Sequence, residues 1–228
     1  MPIHAARATD PHHHARRARI ATLAAGRRAH VLAAARAAFL ELGLERASLR
    51  EIARRAGYTP GALYSYFDSK EAVYAALLGE SLERLNARVA AVDPGVDAAE
   101  VLRHAALAFF DFYREHPRDL DLGFYLFQGM QPRGLTPALN ATLNGRLRDA
   151  LAPVQAALER LGVDATQAQA ETTALFAHAV GLLLLSHTGR IRMFGQASSA
   201  LFGQYLDALL ARASTAGAPA RRSRRRTR

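Results

Sequence analysis

The sequence predicts an all-α chain of about nine helices. Three observations carry that expectation. Ala and Leu abound, β-branched residues are sparse and Trp is absent, a composition that favours helix over strand. Apolar residues recur at spacings of three and four, and no stretch alternates strictly. Helix caps and breakers punctuate the pattern at intervals of one helix length, as at Asp93-Pro94-Gly95, Thr136-Pro137 and Gly162-Val163-Asp164. With 228 residues, half of them apolar, the chain is long enough to bury a core in one domain or two.

The first helix is expected from about Arg28 to Leu42, with Val31, Leu32, Ala35, Ala38 and Phe39 inward and Gly43 as its stop. Ser48 then reads as an N-cap, and Glu51 three residues on completes a capping box. Leu49, Ile52, Ala53 and Ala56 form one apolar stripe, and Gly57 ends that helix. Thr59 caps the third helix, and Pro60 sits in its first turn, where the missing N–H costs nothing. This helix runs to about Phe67, a rod of ~10 Å. Asp68 or Ser69 opens a fourth helix that reaches about Val92. A helix, a tight turn and a short second helix make the helix-turn-helix arrangement that sets a recognition helix in the major groove. Further helices are expected over about 96–116, 118–128, 136–161, 166–187 and 197–213. A Gly/Pro loop spans 129–135, and Gly189 and Gly195 bracket a short turn.

Composition removes several functional classes. The absence of Cys rules out disulfides, thiolate metal sites and cysteine redox sensing. No apolar leader is expected near Met1. The longest apolar run, 174–185, carries His178 and is expected to be too short to cross a bilayer, so the expectation is a cytoplasmic protein with no membrane partner. No nucleophile–base pair, Gly-rich phosphate loop or metal-ligand spacing is visible, so the chain reads as a non-enzyme without a cofactor. His12, His13 and His14 stand alone as possible metal ligands and read as part of a polar tail, not as a metal site. The net charge of +10 is concentrated at the ends. Residues 1–30 hold six Arg against one Asp, and residues 214–228 hold six Arg and no acid. The expected organisation is a basic flexible arm (1–26), a helix-turn-helix domain (27–70), a second helical domain (71–213) and a basic disordered tail (214–228). Arg16, Arg17, Arg19, Arg27 and Arg28 of the arm are candidates for phosphates or the minor groove.

Residues 27–78 resemble the DNA-binding domain of the tetracycline-repressor (TetR) family of bacterial transcription regulators. The matching residues are Ala34, Phe39, Gly43, Ile52, Ala53, Ala56, Gly57, Gly61, Leu63, Tyr64, Phe67, Lys70 and Glu71. The resemblance implies an N-terminal three-helix DNA-binding domain followed by a helical ligand-binding and dimerisation domain. It implies a homodimer that binds a double-stranded operator and is released from it, as a repressor, by a small effector. A DNA-binding protein governed by a partner protein instead of a small molecule is the alternative reading.

Candidate residues follow. Arg50, Thr59, Pro60, Gly61, Ala62, Ser65 and Tyr66 are expected at the bases or groove wall, with Gly61 and Ala62 small enough for close approach. By resemblance, Tyr64 and Lys70 contact phosphates. Lys70 is the single lysine among thirty basic residues, and its compact ammonium suits one phosphate. Aromatic residues concentrate in the fifth and sixth helices, where a densely packed core and an apolar pocket compete as readings. His104, Tyr125, Phe127, Met130, Phe176 and His178 are the pocket candidates for a largely apolar effector. Leu175, Ala179, Leu182 and Leu183 on the eighth helix, with Leu201, Tyr205 and Leu209 on the ninth, are expected at the dimer interface.

Overall fold

The computed structural model describes residues 11–95, 97–124 and 135–216. Among these, the regular structure is helical throughout: α1 (Pro11–Arg46), α2 (Leu49–Arg55), α3 (Pro60–Tyr64), α4 (Lys70–Ala90), α5 (Ala98–Glu115), α6 (Pro117–Phe124), α7 (Pro137–Arg160), α8 (Ala165–His187) and α9 (Ser198–Ala216), with a 3-10 turn at Arg190–Phe194. The described residues fall into two compact units, and the division lies within α4, between Leu77 and Leu78. The second unit thus starts seven residues later than the sequence suggests, because α4 gives its first two turns to the core of the first.

In the first unit, Val31, Leu32, Ala35, Ala38 and Phe39 of α1 are buried with Leu49, Ile52 and Ala53 of α2 and Leu63 of α3. Phe39 meets Tyr74 of α4 edge-on, with ring centroids 6.1 Å apart. The helix stops fall at the expected glycines. Gly43 adopts φ 75° inside α1, a left-handed value that other residues adopt at a cost. Gly57 has φ 69°. There the Gly57 amide donates to Arg54 O at 3.2 Å and the Tyr58 amide to Ala53 O at 2.9 Å, the paired bonds of a Schellman cap. One expectation is corrected. Residues 11–27 are not an irregular arm, since α1 begins at Pro11 and continues through them. The stretch is rich in Ala and Arg, both strong helix formers, and it extends a helix already nucleated by packing.

The second unit buries Val101, Leu102, Ala105, Phe109, Phe110, Phe112 and Tyr113 of α5 against α7, α8 and α9. Phe110 stacks on Phe202 of α9 at 4.4 Å. Tyr113 meets Phe109 at 5.3 Å and Phe124 of α6 at 5.6 Å, both edge-on. Two buried acids tie down the short α6: Asp119 accepts from Arg84 of α4 at 2.6 Å, and Asp121 lies 3.2 Å from His187 at the end of α8. Burial pushes the Asp121 carboxyl above its ordinary value, and the charge of His187 partly opposes this.

The apolar run 174–185 lies within α8, whose bounds match the expected 166–187, but the expectation that this stretch is too short to cross a bilayer is corrected. As a 23-residue element, α8 is long and apolar enough to cross a membrane, yet only 33% of its apolar stretch is buried. Its buried face, with Ala168, Thr172, Leu175, Ala179, Leu182 and Leu183, packs within the unit against α5, α7 and α9. The opposite face exposes Ala170, Ala174, Ala177, Gly181 and Leu185.

Candidate nucleic-acid interface

The helix-turn-helix is assembled by caps. Ser48 Oγ accepts from the Glu51 amide at 3.2 Å, and Thr59 Oγ1 from the Ala62 amide at 3.2 Å. Ser69, not Asp68, caps α4 by accepting from the Ala72 amide at 3.0 Å. Only half of the expected capping box forms, because the Glu51 carboxylate turns away from Ser48. It accepts from Arg54 at 2.9 and 2.7 Å and from Arg55 at 2.6 Å. Those guanidinium bonds hold its carboxyl down to about 2. Arg55 also donates to Glu41 of α1 at 2.6 Å, so a chain of charges locks α2 to α1. Three charge-assisted bonds outcompete one neutral amide as the destination for a carboxylate.

This frame fixes which face of α3 looks outward. Leu63 is fully buried and Phe67 is 6% exposed. They anchor the helix from beneath. Thr59, Pro60, Gly61, Tyr64 and Ser65 are exposed, and Ala62 and Tyr66 are partly so. Tyr64, at 53% exposure, is the one large aromatic group standing out from this surface. Arg50 is exposed on α2. The expected base-facing set therefore shares the solvent side of the motif. A helix edge of small residues beside an exposed tyrosine is shaped to enter a groove closely. Ser65 is partly engaged, since its hydroxyl donates to Ala62 O at 2.7 Å.

Lys70 requires a correction. Its Nζ donates to Leu44 O at 2.8 Å and to Glu45 O at 2.9 Å. The ammonium thus satisfies the carbonyls that the break at Gly43 leaves at the end of α1, where a cation also complements the helix dipole. It is a structural clamp between α1 and α4, not a cation standing out toward a phosphate. Nothing in the local sequence around Lys70 signals this, because its partners lie 25 and 26 residues away.

The candidates outside the motif divide. Tyr125, Phe127 and Met130 lie outside the described residues. His104 is exposed on α5 and so lines no interior pocket. Phe176 is half-buried and packs edge-on to Phe109 at 5.9 Å and tilted against Phe124 at 5.9 Å, as a member of the aromatic core. His178 stacks on Tyr205 at 4.3 Å. Among the described residues its Nε2 is buried without a hydrogen-bond partner, the Tyr205 hydroxyl lies beside the Arg212 side chain, and burial lowers the affinity of His178 for a proton. A cleft of about 440 Å³ opens elsewhere, between α4 and α7, lined by Glu83, Asn86, Val89, Ala90, Arg146, Asp149 and Pro153. Sequence periodicity shows no sign of this cleft, because its residues come from two distant helices.

The dimer candidates are also corrected. Leu175, Ala179, Leu182, Leu183 and Leu209 are buried within the single chain, so they close the protomer core. Leu201 and Tyr205 are half-buried. Since α8 is apolar on every side, periodicity could not say which face turns inward.

Residues 31–77 match the family described as bacterial regulatory proteins, tetR family. The chain is 39% identical over 87 residues to the HTH-type transcriptional activator FasR of Mycolicibacterium smegmatis, covering 38% of this chain and 40% of that protein. It is 38% identical over 84 residues to the A-factor receptor protein of Streptomyces griseus, covering 34% and 30%. These matches thus span less than half the length of either relative. Over the whole fold, the chain resembles the transcriptional regulator FadR from Bacillus subtilis, solved in complex with stearoyl-CoA. The TM-score is 0.62 with 18% identity, covering 83% of this chain and 98% of that one; at such identity the likeness is one of fold. The match to the tetR family of bacterial regulatory proteins is carried by residues 31–77, and the helices that follow resemble solved regulators in fold.

Proposed function

We propose that this protein is a DNA-binding transcriptional regulator, a homodimer whose grip on its operator is released by a small, largely apolar effector, most simply as a repressor. The observation that carries the DNA-binding reading is the outward face of α3. Thr59, Pro60, Gly61, Tyr64 and Ser65 are exposed together on a helix pinned from below by Leu63. A thymine methyl suits the half-exposed Ala62 beside them, and the groove wall and phosphates suit Arg50, Tyr64 and Tyr66. Selection from a random duplex library should recover paired half-sites about one helical turn, ~34 Å, apart. Recovery of no preferred sequence would refute the reading.

The dimer is supported by α8. An apolar helix with about half of its residues exposed and small residues along the open face, Ala170, Ala174, Ala177 and Gly181, suits close packing on a second copy. Acting on chromosomal DNA places such a protein in the cytoplasm. FasR is named an activator, so a reporter assay of the regulated promoter decides the sign separately from DNA binding.

The effector reading is supported by the aromatic interior of α5, α6 and α8 and by the acyl-CoA bound in the FadR structure. The buried His178 Nε2, without a partner among the described residues, is a polar group that a ligand or water would satisfy. Because α4 begins in the first unit and ends in the second, a ligand that favours one setting of this helix changes the spacing of the two recognition helices. Coupling of 1–3 kcal/mol corresponds to about 5- to 150-fold in operator affinity, and linkage makes it reciprocal. Stearoyl-CoA is the first probe, its affinity measured with and without operator. Equal affinities would show that it is not the effector.

A further inference from the structure

We propose that the N-terminal half of α1 is a phosphate-binding rail that extends the protein's footprint on DNA beyond the recognition helix; the inference rests on the DNA-binding reading above. Residues 16–30 are exposed without exception. They contain Arg16, Arg17, Arg19, Arg27 and Arg28, and no Asp or Glu occurs between Pro11 and Glu41. A helical stretch whose residues are all exposed and which carries one sign of charge is suited to a polyanion.

Its placement selects the polyanion. The rail is fastened to the helix-turn-helix at its C-terminal end. His30 Nε2 lies 3.1 Å from Ala56 O, and its ring meets Tyr58 edge-on at 6.2 Å. The Arg28 guanidinium lies over the Phe67 ring at 5.4 Å. These contacts join α1 to the turn of the motif and to the residues that follow α3, so the rail departs from the elements that frame the groove-facing surface. Residues 11–27 at 1.5 Å each span ~25 Å, the length of about seven base pairs at 3.4 Å per step.

The helical register also sorts the arginines. Arg16, Arg19 and Arg27 fall within about an 80° sector at 3.6 residues per turn; Leu23 lies between them and Ile20 about 20° beyond the edge. Those two apolar residues are 57% and 59% exposed. A membrane-surface helix needs a continuous apolar face, which two residues do not provide, and the arginines share their sector. Charge and attachment both favour the phosphate backbone.

The test uses the full chain with Arg16, Arg19 and Arg27 all changed to Gln, and a 40-base-pair duplex of mixed sequence. Each phosphate neutralised contributes about 0.9 to the slope of log affinity against log salt, so the slope should fall by about 2.7 and the salt penalty between 50 and 200 mM should shrink roughly 40-fold. Changing the same residues to Lys should restore the slope, since phosphate contacts need charge rather than a fork. An unchanged slope in the Gln variant, with circular dichroism showing the helix intact, would overturn the rail. So would loss of binding to phosphatidylserine vesicles in that variant with duplex binding unaltered, which would assign the helix to lipid. Failure of the unmodified chain to bind any duplex would instead remove the DNA-binding reading itself.

Discussion

Replacing Lys70 by Met separates two roles that the same residue can play. The substitution keeps the aliphatic stem and deletes the ammonium that donates to Leu44 O and Glu45 O at 2.8 and 2.9 Å. A hydrogen bond to a charged group contributes about 1.5–3 kcal/mol, and a cation at a helix C-terminus about 0.3–1 kcal/mol. Lys70 is only partly buried, so water recovers much of this, and the net loss should be about 1–2 kcal/mol. That loss is local to the end of α1. Hydrogen exchange of peptides covering residues 42–47 should therefore quicken by about 5- to 30-fold, while α7 and α8 exchange as before. The salt slope of duplex binding should scarcely move. The opposite pattern, unchanged exchange at the end of α1 and a slope lower by about 0.9, would show that the ammonium leaves the carbonyls for a phosphate and would refute the clamp.

Three further outcomes follow from particular residues. Gly57 has φ 69° with open space around its Cβ position, so Gly57→Ala adds no clash but forces a left-handed alanine and should cost about 1–2 kcal/mol. Gly26 lies inside α1, also with nothing near its Cβ position, so Gly26→Ala should stabilise the rail by about 0.5–1 kcal/mol; thermal melts that move in the same direction for both variants would contradict the assigned conformations. Glu51 has a folded pKa of about 2, below its ordinary 4.5, so its ion pairs stabilise the fold above pH 4.5 and lose that contribution as pH falls from there toward 2. Glu51→Gln should flatten this part of the acid-unfolding profile, and an unaltered profile would show that the pairs with Arg54 and Arg55 do not form in solution. The unmodified protein should scatter light as twice the 24.7 kDa chain; Gly181→Glu, on the open face of α8 with nothing within 4 Å of its Cβ position, should give a folded monomer, and a Gly181→Glu dimer would place the interface elsewhere.

What was legible in the sequence is what local chemistry decides. Ser48, Thr59, Thr136 and Asp164 each accept a backbone bond at the start of a helix, and Gly43 and Gly57 adopt the left-handed values that end one. These choices depend on neighbours within a few residues, so spacing alone reveals them. The solvent face of α3 was readable for the same reason, since burying Leu63 orients the rest. What was not legible depends on partners far along the chain. Periodicity has no preferred direction when a helix is apolar all round, so the inward face of α8 was misassigned: Leu175, Ala179, Leu182 and Leu183 are buried in the protomer, and Ala174, Ala177 and Gly181 are left open. Charge has the same ambiguity. Lys70 finds two carbonyls across a turn, whereas Arg16, Arg19 and Arg27 stand exposed on one sector of a helix. The lysine singled out as a phosphate ligand is thus the cation whose positive charge the fold itself uses. The arginines of the presumed flexible arm are the ones held in a regular array, and an ordered row of charge binds a duplex with less entropy lost than a coil carrying the same residues.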